Sequence, residues 1–100
     1  MIKIYVENLT EARKLLNDCS DQVIIVNAAG SVKYYGVLVI DYIFSQLQKE
    51  FDNIQQIILN VQDDHAALLT AIELNMNYTI EYSGSSLEAK RLLLKFTADS

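Results

Sequence analysis

The stretch from Ser31 to Phe51 contains no breaker except Gly36 and is apolar nearly all the way round, through Val32, Tyr35, Val37, Leu38, Val39, Ile40, Tyr42, Ile43, Phe44, Leu47 and Phe51. That spacing predicts one long helix. A helix apolar on most of its circumference has to be covered on several sides, and a chain of 100 residues has little other material to cover it with. A partner chain is therefore expected, with Tyr35, Val39, Tyr42 and Ile43 as the contact residues, since tyrosine joins large apolar area to a polar tip. Gly36 costs roughly 1 kcal/mol relative to Ala inside a helix, and close approach of another element is the usual compensation. A tight crossing is expected there. The most apolar part, Tyr34 to Phe44, is interrupted by Asp41 and falls well short of the ~20 residues that span a bilayer.

On either side of this stretch the periodicity alternates between 2 and 3.6. Ile2, Ile4 and Val6 alternate with Lys3, Tyr5 and Glu7, which predicts a strand over 2–6 with one wet face. Asn8 offers a cap and Glu11 sits at the capping-box distance, before a helical stripe of Leu9, Ala12, Leu15, Leu16 and Cys19. Val23 to Val26 is a continuous β-branched run, expected of a strand covered on both faces, and Asn27 to Ser31 breaks it as a small-residue turn. Gln56 to Val61 is a second such strand, ending in Gln62, Asp63, Asp64 and His65. A helix on Leu68, Ala71, Ile72 and Asn75 follows, with Asn75 or Asn77 as the left-handed residue that ends it. Tyr78 to Tyr82 alternates as the last strand, and Ser85 to Glu88 reads as a capping box before the stripe Ala89, Leu92, Leu93 and Phe96.

The order βαβαβαβα over residues 1–100 is that of a single α/β domain with a four-stranded, mostly parallel sheet and right-handed crossovers. Strands one and four look like edges, because their pattern leaves one face wet, and two and three look central. Two strand orders satisfy this. Order 1-3-2-4 sets helices on both faces as a three-layer domain, and the doubly apolar central strands favour it; order 1-2-3-4 leaves one sheet face bare unless a dimer partner covers it.

Composition narrows the function classes. The chain carries 8 basic and 13 acidic side chains, a formal charge of −5, and Lys33, Lys49, Lys90 and Arg91 are scattered. Phosphate-backbone neutralisation needs clustered cations, so nucleic acid is not an expected partner. The single cysteine, Cys19, cannot form an intrachain disulfide, and its expected role is packing. With no apolar leader or spanning segment, a cytoplasmic setting without membrane attachment is expected.

In a parallel sheet, ligands bind beyond the carboxyl ends of the strands, where helix N-termini point. Asp63, Asp64 and His65 form the densest ionisable cluster at that edge, and with Ser31 they are the catalytic candidates. Capping accounts for the same acidic residues without any chemistry. Gly30 and Ser31, and Ser83, Gly84, Ser85 and Ser86, are the candidate anion-binding residues, since small turns at helix N-termini aim free N–H groups outward. Ser85 is also explained as a cap. The Asn27 to Ser31 turn lacks the spacing of a dinucleotide fingerprint or a phosphate-binding loop. No metal site and no cofactor is implied.

From Val23 onward, a strand, a long helix, a strand ending in Asn60 and Val61, a helix, a short strand and a final Ser-Leu-Glu-Ala helix resemble the second half of STAS domains, the anti-sigma-factor-antagonist family. The family's Asp-Ser-Ser-Gly segment is replaced by Ala29, Gly30 and Ser31, and its two opening strands by a strand and a helix. Glu7 and Asp63 look like a fragment of a receiver domain's acidic pocket. Val26 to Val39 and Val61 to Ala89 are similar to small uncharacterised bacterial α/β proteins, a resemblance that implies no function. The residues thus predict a regulatory or protein-interaction module that self-associates as a homodimer or larger homo-oligomer, or contacts another protein. A ligand-binding domain or small enzyme using the carboxyl edge is the alternative. Half of a (βα)8-type barrel, completed by dimerisation, would reconcile the two.

Overall fold

The computed structural model describes residues 2–74 and 76–99, the last two of these by backbone alone. The elements are β1 (Ile2–Val6), α1 (Leu9–Asn17), β2 (Val23–Asn27), α2 (Ser31–Tyr35), α3 (Val37–Glu50), β3 (Ile54–Gln62), α4 (His65–Glu73), β4 (Thr79–Tyr82) and α5 (Leu87–Asp99). All strand pairs are parallel. The α/β class and the four-stranded parallel sheet are those read from the sequence.

The strands lie in the order β1-β2-β3-β4, not 1-3-2-4. Successive right-handed crossovers between adjacent strands put their helices on one side, and α1, α3, α4 and α5 touch one another in that sequence. The architecture is one sheet under one helix layer, and the third layer expected from the central strands is not there. Alternation explains the core. Ile4, Val6, Val23, Ile25, Ile57, Leu59 and Ile80 point into the helices and meet Leu16, Ile40, Phe44, Leu47 and Leu68. Val26 and Ile58, on the opposite face, are buried but belong to no part of that core.

The second correction concerns the long helix. Gly36 adopts φ 81°, ψ 160°, a conformation that only glycine takes readily, and it ends α2 and begins α3. No atom lies within 4 Å of where its Cβ would be, so the expected tight crossing does not exist. The glycine serves a backbone bend instead. The sheet register also slips at Val23/Ile24 and at Asn60/Gln62, and Gln62 at the second slip has φ 53°.

Caps fix the helix starts. Asn8 Oδ1 accepts from Glu11 N at 2.8 Å, and Asp64 Oδ1 from Ala67 N at 3.0 Å. The last helix is capped one residue later than expected, Ser86 Oγ accepting from Ala89 N at 3.2 Å. Of the two asparagines expected to end α4, Asn75 lies outside the described residues, and Asn77 has no left-handed backbone; α4 closes on Leu74 in a right-handed conformation. Arg13 on α1 holds both carboxylate oxygens of Glu50 at the end of α3, at 2.8 and 2.6 Å. Partly buried Cys19 packs against the core.

Candidate functional site

Two regions could carry function, the carboxyl edge of the sheet and the outer surface of α2 and α3. At the edge, β2 ends on Asn27, and β3 carries Asn60 two residues before its end. Asn27 is buried, its Oδ1 accepting from Asn60 N at 2.7 Å while its Nδ2 donates to Asn60 O at 2.9 Å and to Ser31 Oγ at 3.0 Å. The carboxamide thus stands in for one more rung of the ladder between the two strands. Asn60 Oδ1 in turn accepts from Gln62 N at 2.9 Å and holds the left-handed residue of the bulge. These paired asparagines escaped the search for ionisable groups. Their signal was an amide residue at the end of each apolar central run.

Ser31 is buried with its hydroxyl taken by Asn27, and no hydrogen bond among the described residues joins it to His65 or Asp63. Asp64 is spent on the α4 cap. Asp63 faces Lys33 at 3.7 Å with both side chains largely exposed, a pair that contributes little. His65, the first residue of α4, is half-buried. Among the described residues no group of three His, Cys, Asp or Glu side chains is placed to hold a metal. Sequence neighbours are therefore divided among a cap, a surface pair and a helix start.

The turn after β4 is also occupied by its own chain. A Cβ at Gly84 would run into the ring and hydroxyl of Tyr82, so the space a glycine leaves there is filled by that phenol. Ser86 caps α5, while Ser83 N donates to Gln62 O at 2.8 Å. Gly30 takes a left-handed φ of 82° at the start of α2. The two small-residue turns belong to different strand ends.

The outer surface differs in kind. Tyr34, Tyr35, Leu38, Val39 and Tyr42 are exposed by 88, 52, 64, 43 and 59%, an apolar ridge over α2 and the first half of α3. Ile43, expected at this contact, points the other way and is buried in the core. From Tyr34 to Ile40 there is no charged side chain. Lys33, just before the ridge, pairs with Asp63, and Asp41, between Val39 and Tyr42, is partly buried and accepts from the Tyr78 hydroxyl at 2.6 Å. Beside the ridge, Val32, Tyr35, Gly36, Val39, Ala66 and Thr70 line a shallow hollow that the missing Cβ of Gly36 helps to open.

Burial and the Asp41 hydrogen bond hold the Tyr78 phenol neutral, pushing its pKa up to about 12. The ring stacks edge-on against Phe44 at 5.3 Å. This pair anchors α3 to the segment before β4 and sets the ridge outward. No helix is long and apolar enough to cross a membrane among the described residues.

No family model matches the chain, and no solved structure matches it. An uncharacterised protein of Rickettsia prowazekii (strain Madrid E), RP547, is 47% identical over 95 residues, an alignment covering 93% of this chain and 89% of that protein. At that identity over nearly the whole of both, a common fold and core follow, and the chain belongs to the family of small uncharacterised bacterial proteins represented by the Rickettsia relative.

Proposed function

We propose that the protein is a non-enzymatic cytoplasmic module that works by self-association, regulatory in role, with the ridge of α2 and α3 as its contact. The observation that carries this is a set of five exposed apolar side chains between Tyr34 and Tyr42, whose one intervening charge, Asp41, is partly buried and bonded to the Tyr78 hydroxyl, on a chain of net charge −5. Soluble proteins rarely leave a contiguous apolar surface uncovered without using it to bind. Tyrosine supplies three of the five residues, and it is the residue type enriched where one surface must be wet alone and dry in a complex. Like-charged copies meet with less repulsion at a surface poor in charge, and Asp41 is the one charged side chain between Tyr34 and Tyr42.

The test is the solution mass of the wild type against a Leu38→Glu, Tyr42→Glu variant, both side chains being exposed and so dispensable for the fold. The wild type should be heavier than the variant at micromolar concentration, with the same helicity by circular dichroism. Equal masses would remove the ridge from the account.

A further inference from the structure

The bare face of the sheet carries a second inference, which goes beyond the ridge and does not depend on it. Parallel sheets are almost always covered on both faces, and this one is covered on one. The register orders the uncovered side chains in rows across the strands. Lys3, Ile24 and Gln56 form the first; Tyr5, Val26, Ile58 and Thr79 the second; Asn60 and Glu81 the third. Val26 is only 1% exposed although no helix lies over it. Its flanks are taken by its row neighbours Tyr5 and Ile58. Strand order 1-2-3-4 with every helix on one side of the sheet is the arrangement of a sector of a (βα)8 barrel.

We propose that two copies of this chain close into an eight-stranded parallel barrel, β4 of each pairing with β1 of the other. The unpaired edges specify how. Val6 O accepts from Ala28 N, so alternate peptide groups of β1 face β2 and those of Lys3 and Tyr5 face outward. Ser83 N donates to Gln62 O, so the outward groups of β4 are those of Ile80 and Tyr82. A parallel ladder then sets Lys3 of one copy opposite Glu81 of the other. Lys3 N–H donates to Ile80 C=O, and Tyr82 N–H donates to Lys3 C=O. Both side chains lie on the bare face and have opposite charge.

This register is also the one a barrel needs. Lys3 lies in the row of Gln56 and Glu81 in the row of Asn60, so the seam is displaced by 60 − 56 = 4 residues toward the N-terminus of β1. Two seams give about eight, the shear of an eight-stranded (βα)8 barrel, and the displacement has the hand that right-tilted strands demand. The helix ring closes with it. Right-handed crossover geometry lays α5 of one copy over β1 of the next, where Ile2, on the helix side, is 44% exposed and Leu94 of α5 is 70% exposed.

Charge reversal distinguishes this seam from any other contact. In the Leu38→Glu, Tyr42→Glu background, which removes the ridge, the protein should have twice the 11.3 kDa chain mass at micromolar concentration. Lys3→Glu alone and Glu81→Lys alone each put like charges at both seams and should weaken the dimer at least ~tenfold. Mixing the two variants makes both seams complementary, so the mixture should form a heterodimer resolved by native mass spectrometry. Lys3 and Glu81 are exposed in the single chain, so helicity should be unchanged in every case. A monomeric background protein, single variants as tightly dimeric as the background, or single variants that dissociate yet fail to pair on mixing would each overturn the barrel. Failure of the ridge reading shows separately, as equal masses of the wild type and the ridge variant.

Discussion

Asn27 shows how much one polar side chain can be asked to do. It ends a strand whose other residues are aliphatic, and its carboxamide makes three hydrogen bonds in a site that is 1% exposed. Removing it strands the N–H and C=O of Asn60 as well as losing the bonds themselves, and the penalty for unpaired buried groups exceeds the net worth of a bond. Asn27→Ala should lower stability by about 2–3 kcal/mol, read as a shift of the urea midpoint with little change in slope. Tyr78 acts through its proton. Its folded pKa of about 12 stands above the ordinary 10, so the native state holds the proton more tightly. The stabilisation is complete below pH 10 and is lost as pH rises from 10 to about 12. Tyr78→Phe should abolish that pH dependence of the melting temperature and cost about 1 kcal/mol at neutral pH for the Asp41 bond. At this scale the sequence was read well for Asn8, less well for the last helix: Ser85 and Ser86 are adjacent, and only the local backbone decides which hydroxyl reaches an N–H three residues on.

At the scale of elements, periodicity located the strands because each buries alternate residues, and β1 shows that alternation plainly in Ile4 and Val6 against Lys3 and Tyr5. The break at Gly36 was not legible. An apolar run continues on both sides of it, and a glycine within such a run reads as a helical residue in close contact rather than as a bend. Its conformation makes the distinction testable. Gly36→Ala meets no steric obstacle beyond its own backbone, and should cost ~1–3 kcal/mol from the φ/ψ alone. Gly30, at φ 82° and ψ −9°, lies in the ordinary left-handed region, and Gly30→Ala should cost less, ~1 kcal/mol. Thermal unfolding of the two variants side by side checks the order. Equal losses would mean that α2 and α3 relax toward one straight helix when the glycine is removed.

For the whole molecule, the strand order was misread because Val26 and Ile58 are apolar on the side away from the helices, and apolar residues on both faces of a strand signify burial without saying by what. Row neighbours do the covering here, at least in the single chain. The candidate site divided in the same way: tyrosines read as a contact surface are on the surface, whereas Asp63, Asp64 and His65 share a place in the sequence but no common chemistry. Charge then separates the two surfaces. Each copy carries −5, and bringing copies together through the apolar ridge would work against that net repulsion. Added salt shortens the screening length from about 10 Å at 0.1 M to about 3 Å at 1 M, so ridge-driven association should tighten as salt is raised. A contact held by Lys3 and Glu81 gains from the same screening of net charge but loses its ion pairs, and should tighten less or weaken. Sedimentation equilibrium in rising sodium chloride, on the wild type and on a Leu38→Ser, Tyr42→Ser variant of the same net charge, reads both slopes. The slope of the wild type should be the more positive, because the proposed ridge contact would add apolar association that has no ion pair to lose.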